Sequence, residues 1–138
     1  MSECVVLDTH VWIWIVNGAD EIKPAVREKV AGALKGRGVL IPAICVWEIE
    51  MLCRKNRIRL AKPISIWMRD ALEMPRFRLS SLNDVTALEA ASLPGEFHND
   101  PADCMIVATA RIENAVLLTA DQRIIEYSKA GHVHVFQV

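Results

Sequence analysis

A small set of acidic side chains sits where carboxylates can do more than carry charge. Asp100 and Asp103 lie three positions apart at the mouth of "HNDPADCMIVATARI" (98–112), Asp8 closes "CVVLD" (4–8), and Asp121 closes "AVLLTAD" (115–121). The apolar stretch "IPAICVWEIEMLC" (41–53) is broken by two charges alone, Glu48 and Glu50. Carboxylates brought into one cleft repel one another and take up protons unless a divalent cation neutralises them. Hard oxygen ligands select Mg²⁺ or Mn²⁺ over zinc. An ion of that class positions and acidifies a water for in-line attack on a phosphodiester, with no protein nucleophile required. The competing reading is local. Asp100 can cap a helix whose first turn holds Pro101, Asp103 suits the third helical position, and Asp8 and Asp121 each precede a helical stretch. Taken singly, each aspartate reads as a cap and Glu48 as a helix-edge charge.

Which reading holds depends on the elements that carry these residues. Short β-branched runs at 4–8, 39–42, 77–82, 115–121 and 132–136 predict strands. Between them the pattern predicts helices near 9–16, 24–35, 44–56, 63–73, 84–91, 101–114 and 121–129. "VVL" and "VLL" are continuous apolar triplets, as in strands covered on both faces, so the sequence predicts an α/β fold around a mainly parallel sheet of four to five strands. Ligands in such sheets sit beyond the carboxyl ends of the strands. Asp8, Asp103 and Asp121 can all face that edge. Glu48 and Glu50 flank opposite sides of the stripe formed by Cys45, Ile49, Leu52 and Cys53, so periodicity leaves open which of them looks into a cleft.

Composition bounds the rest. The chain has 138 residues, 52% of them apolar, with 16 basic against 17 acidic side chains. One domain over 1–138 is expected, with apolar surface to spare for a partner, and any nucleic-acid binding must rest on a local patch. Cys4, Cys45, Cys53 and Cys104 form no CxxC pair and lie in apolar segments, which argues for buried thiols in a reducing cytosol. No apolar run approaches the ~20 residues of a membrane span and the start "MSECVVLD" lacks a signal-peptide pattern, so a cytoplasmic location without membrane contact is expected. A dinucleotide-binding protein is excluded because no glycine follows the first strand until Gly18. An acid-pocket phosphatase of the haloacid-dehalogenase type needs a second Asp two positions after the first, where this chain has His10.

The set "VVLDTHVWIW", "PAICVWEIEML", "HNDPADCMIVATARI" and "LLTADQRI" resembles the PIN-domain family, specifically the VapC-like toxins of bacterial toxin–antitoxin pairs. The resemblance covers almost the whole chain. It implies a three-layer α/β/α fold and an Mg²⁺- or Mn²⁺-dependent endoribonuclease that leaves a 5′-phosphate and a 3′-hydroxyl. It assigns the metal site to Asp8, Glu48, Asp103 and Asp121, with Asp8 and Asp103 as direct ligands and the other two acting through water, and it passes over Glu50. Thr9 and Thr119 are placed beside the carboxylates, and Asp100 as a cap or as support behind Asp103. It implies three partners: RNA as substrate, a second copy of the chain, and a small VapB-like antitoxin that occludes the acidic cleft. The chain shows no DNA-reading motif of its own. The alternative is a non-catalytic PIN-like module that holds RNA or protein; it predicts a degraded acid cluster, and this cluster is intact.

Around the site, "RKNRIRLAK" (54–62) offers Arg54, Lys55, Arg57 and Arg59 as phosphate contacts, with Arg76 and Arg78 as weaker candidates. His10, His98, His132 and His134 read as structural: His10 as support in the first helix, His132 and His134 as one face of a terminal strand. Trp12, Trp14, Trp47 and Trp67 read as core, with one free to serve an interface.

Overall fold

The computed structural model describes residues 3–138. Five strands, β1 (Cys4–Leu7), β2 (Gly38–Pro42), β3 (Phe77–Ser80), β4 (Val116–Thr119) and β5 (His134–Gln137), form one all-parallel sheet in the order β3-β2-β1-β4-β5. Successive strand residues point to opposite faces, and every residue of β1 and β2 is buried, so both faces of the central strands are covered. The cover is helical: α1 (Thr9–Asn17), α2 (Pro24–Lys35), α3 (Ala43–Arg54), α4 (Ile64–Leu72), α5 (Asp84–Ala91), α6 (Pro101–Ile112) and α7 (Gln122–Ser128). This is the expected α/β architecture at the upper end of its strand count. Val5, Val6 and Leu7 have no exposed surface; each such side chain contributes roughly 1.5–3 kcal/mol by burial, which fixes the register of the central strand.

The element ends differ from the sequence reading for physical reasons. The predicted helices at 44–56 and 101–114 stop at Arg54 and Ile112 because Asn56 and Asn114 follow in the left-handed region, at φ 56° and 50°. Asparagine tolerates that conformation and closes the last turn. At the end of α3, the Arg57 N–H donates back to the Leu52 carbonyl at 2.9 Å, turning the chain toward the sheet edge. The last strand starts at His134 rather than 132, so His132 lies off the strand and packs its ring 5.5 Å from that of Tyr127. The basic run beyond Arg54 is therefore loop, not a solvated helix face.

The strand order carries the functional consequence. From β1 the chain runs outward through β2 to β3, then returns to the other side of β1 for β4 and β5. The order reverses between β1 and β4, and the crevice at the carboxyl ends of those two strands is where such sheets bind ligands. Asp8 follows β1, its N–H donating to the Leu118 carbonyl of β4 at 3.1 Å, and Asp121 lies two residues beyond β4.

Candidate active site

At that crevice a cavity of about 420 Å³ is lined by Asp8, Glu48, Asp100, Asp103 and Asp121. Thr9, His10, Arg57 and Arg123 share it. Each aspartate is held by a helix start, and the caps and the cavity use the same side chains. Asp8 is the N-cap of α1 and accepts the Thr9 N–H at 2.7 Å on Oδ1, while Oδ2 accepts the Thr119 hydroxyl at 2.5 Å. Asp100 caps α6, with Oδ1 accepting from the Ala102 and Asp103 N–H groups. Asp121 caps α7, with Oδ1 accepting from the Arg123 and Ile124 N–H groups. Asp103 sits in the first turn of α6, nearly buried, with its own carboxylate free of capping duty.

Glu48 faces this cavity and accepts the Thr9 hydroxyl at 2.5 Å. Glu50 points elsewhere and pairs with Arg54 at 3.0 Å. The geometry therefore separates the two acids that helical periodicity could not. The Thr9 and Thr119 hydroxyls donate to Glu48 and Asp8 respectively.

Charge is crowded here. Five carboxylates face two guanidinium groups, those of Arg57 and Arg123. Burial pushes the carboxyls of Asp8 and Glu48 up, against the hydrogen bonds from Thr119 and Thr9 that favour their charged forms. Asp103 is pushed up to about 7, first by burial and then by Asp100, Asp8, Asp121 and Glu48. Two side chains lie against this carboxylate: Arg123 Nη2 is 3.1 Å from Asp103 Oδ2, and His98 Nε2 is 3.2 Å from the same oxygen. Arg123 also reaches Asp121 Oδ2 at 3.5 Å and is drawn further into its cationic range by that pairing. Behind the site the buried Cys45 thiol is raised well above its ordinary value by desolvation, so it stays protonated.

Sequence reasoning missed Arg123 and dismissed His98. Arg123 is in the first turn of α7, where a positive charge opposes the helix dipole. A residue that breaks a local rule beside a capping acid was the available signal. His98 is oriented by the Asp100 N–H, which donates to its Nδ1 at 3.2 Å and leaves Nε2 as the protonated nitrogen of the neutral ring, though Nε2 lacks hydrogen-bond alignment toward Asp103. His10, expected as helix support, is exposed on the cavity rim. Of the basic run, Arg57 reaches the acidic cavity, Lys55 lines an adjoining groove with Trp47, and Arg54 is engaged by Glu50.

The donor set, carboxylate and hydroxyl oxygens with an excess of negative charge, has the chemistry of a hard dication site. Among the described residues no three Asp, Glu, His or Cys side chains already converge as a ligand cage. Thr9, Thr119 and Arg123 hold the carboxylate oxygens instead. Arg123 bridges Asp103 and Asp121 with 59% of its side chain exposed.

Comparison with known proteins places the chain in a family. Ribonuclease VapC22 of Mycobacterium tuberculosis is 31% identical over 120 residues, spanning 87% of this chain and 88% of that protein. Among solved structures, VapBC2 from Rickettsia felis bound to a DNA fragment from its promoter superposes with TM-score 0.69 at 14% identity, covering 97% and 98% of the two chains. A toxin–antitoxin complex from Klebsiella pneumoniae superposes with TM-score 0.64 at 18% identity, covering 97% and 99%. The sequence profile of the PIN domain matches residues 5–130, and with the sheet order, the crevice and its five carboxylates in view, the chain belongs to the PIN-domain family.

Proposed function

We propose that this chain is an endoribonuclease toxin that cleaves RNA with Mg²⁺ or Mn²⁺ and is held inactive by a VapB-like antitoxin. The observation that carries the reading is the gathering of Asp8, Glu48, Asp100, Asp103 and Asp121 on one cavity at the strand-order reversal, in a chain similar along most of its length to a ribonuclease. When bound, the ion supplies an acidified water and offsets charge on the phosphoryl oxygens. Asp8 and Asp103 would hold it, with Asp121 and Glu48 beside them to orient the attacking water. Thr119 and Thr9 fix the rotamers of Asp8 and Glu48 by donating to them. Asp100 anchors the first turn of α6, so that Asp103 is presented by a rigid element rather than a loop. Arg57 and Arg123 lie at the cavity and supply contacts for RNA phosphates.

A second copy of the chain fits the exposed apolar residues Trp47, Leu82, Val85 and Leu88, of which Trp47 is 58% and Leu88 69% exposed. The activity is tested by incubating a mixed, structured RNA pool with purified protein in Mg²⁺, Mn²⁺ or EDTA, beside a folded Asp8→Asn variant. Cleavage that needs metal and is lost in the variant is the expected result. Metal-independent cleavage, or equal cleavage by the variant, would overturn the mechanism. A folded chain that neither cuts RNA nor binds Mn²⁺ would make the acids structural and favour a non-catalytic binding module.

A further inference from the structure

A second cavity, of about 510 Å³, opens on the other side of His98 and Arg123 from the carboxylates. Its size falls within the ~300–1,000 Å³ range of small-ligand sites. One wall is a strip of rings: Phe97 lies 4.1 Å from His98 and 4.7 Å from Tyr127, and Tyr127 lies 5.5 Å from His132, centroid to centroid. Phe97, His98 and His132 are half-buried on this cavity, and the buried Tyr127 ties the strip to the core behind it.

The strip is held in place. The Tyr127 hydroxyl donates to the Pro94 carbonyl at 2.6 Å, and the His132 carbonyl accepts from Arg111, which is itself paired with Glu89 at 2.8 Å. Gly95 takes φ 70°, and a Cβ there would meet His132 Nε2 at 3.0 Å, so the close approach of loop and imidazole depends on glycine. Such preorganised aromatic surface is what an unstacked base requires, because every base presents a π face.

The polar residues choose the part of a nucleotide that enters. Glu126 on the rim, paired with Lys129 at 2.8 Å, accepts hydrogen bonds from a base edge, and Gln122 beside it can both donate and accept. Phosphate is favoured at the acid site, where Arg57 joins Arg123, the residue the two cavities share. The partition is one side chain thick: Asp103 Oδ2 touches His98 and Arg123, both of which line the aromatic cavity. We propose that this cavity receives a single unpaired base of the RNA, that of the nucleotide flanking the phosphodiester held at the carboxylates, stacked on the Phe97–His132 strip with Gln122 and Glu126 at its edge. This subsite rests on the ribonuclease reading and would give the enzyme a sequence preference at one position.

The test is a titration of the full chain, with its aromatic side chains isotopically labelled, against a random-sequence ribohexanucleotide pool and a matching abasic ribose-phosphate hexamer, both followed by NMR in EDTA. The random pool is expected to move the ring signals of Phe97, Tyr127 and His132, and the abasic hexamer to leave them in place. Phe97→Leu keeps an apolar filler against Tyr127, and Gln122→Ala changes only an exposed side chain; loss of one stacked base corresponds to binding weaker by about tenfold in the first, and the second is expected to change which bases bind. Cleavage of RNA by the wild type in Mn²⁺ while the three ring signals stay fixed would overturn the subsite and leave the nuclease reading standing. Equal binding of the abasic hexamer and the pool would also overturn it. RNA neither bound nor cut would overturn the nuclease reading, and the subsite with it.

Discussion

Replacing Asp103 with asparagine removes a charge that the metal-free protein holds at a cost. Burial, and then the neighbouring acids, carry its carboxyl from an ordinary 3.8 up to about 7. With a folded value above the unfolded one, the folded chain keeps a proton that the unfolded chain releases, so this group's stabilising contribution is complete below the unfolded value and lost as pH rises through about 7. At ~1.4 kcal/mol per unit the interval sets a ceiling of about 4 kcal/mol on the destabilisation above neutrality. Two terms reduce it: the neutral amide gives up the ion pair with Arg123 at 3.1 Å and the preference of the helix start for negative charge, worth about 0.3–1 kcal/mol. Asp103→Asn is therefore expected to stabilise the metal-free fold by about 1–3 kcal/mol near pH 8, and by almost nothing near pH 4. Urea unfolding in EDTA at the two pH values measures this directly. Mn²⁺ should reverse the ranking, since the wild type gains about 2.7 kcal/mol at a hundredfold excess over its dissociation constant and the variant gains less. An Asp103→Asn protein that is less stable than the wild type near pH 8 in EDTA would refute the electrostatic conflict on which the site argument stands.

Asp100→Asn, which preserves a capping oxygen, is expected to keep most cleavage activity while Asp103→Asn loses it; equal losses would erase the division of labour between the two. Arg123→Gln should tighten Mn²⁺ binding about tenfold in calorimetry, because the guanidinium competes with the ion for Asp103 and Asp121. Unchanged affinity would mean that Arg123 vacates the site freely. Arg57→Ala should weaken RNA binding and lower the salt slope by about one phosphate contact, whereas Arg54→Ala, already paired with Glu50, should change neither. Trp47→Ser should shift the chain toward monomer in sedimentation velocity if that face is covered by a second copy, and an unaltered profile would place the interface elsewhere.

How far the sequence could be read was set by how local the physics is. Strand and helix identity followed from apolar runs and periodicity, which are properties of a few neighbouring residues, and all twelve elements appear near their expected places. The errors at Asn56, Asn114 and His132 are errors of ending, where a single left-handed residue or a ring drawn to Tyr127 decides. Asp8 and Asp121 were visible because a strand end is marked in the sequence. The choice of Glu48 over Glu50 rested on resemblance alone, and only packing of α3 beside Thr9 gives it a physical reason. Arg123 and His98 were beyond reach for a different cause: both act on Asp103 across separations of twenty and five residues, through loop and helix geometry that periodicity does not encode. Two of the four tryptophans, Trp12 and Trp67, are core as expected, while Trp47 is exposed, because α3 spends its buried face on Cys45 and Ile49.

The same aspartates serve as caps and as the acid cluster, and the fold makes this more than coincidence. A parallel sheet delivers every following helix to the carboxyl edge by its N-terminus, so α1 and α7 begin at the crevice and α6 is brought there beside them. Helix starts offer unsatisfied N–H groups and a positive dipole end. Asp8, Asp100 and Asp121 each give one oxygen to those N–H groups, while the second oxygen of Asp8 accepts the Thr119 hydroxyl and that of Asp121 meets Arg123, so the carboxylates are oriented by backbone and fixed neighbours rather than by loops. The dipole ends offset part of the repulsion, and Arg57 and Arg123 are the cations that share the cavity with the carboxylates. Asp103, in the first turn of α6, caps nothing, and burial together with the neighbouring acids pushes its carboxyl up to about 7. A cation bound in this crevice would relieve the repulsion among these carboxyls, which is why the charge-removal experiment on Asp103 interrogates the whole cluster.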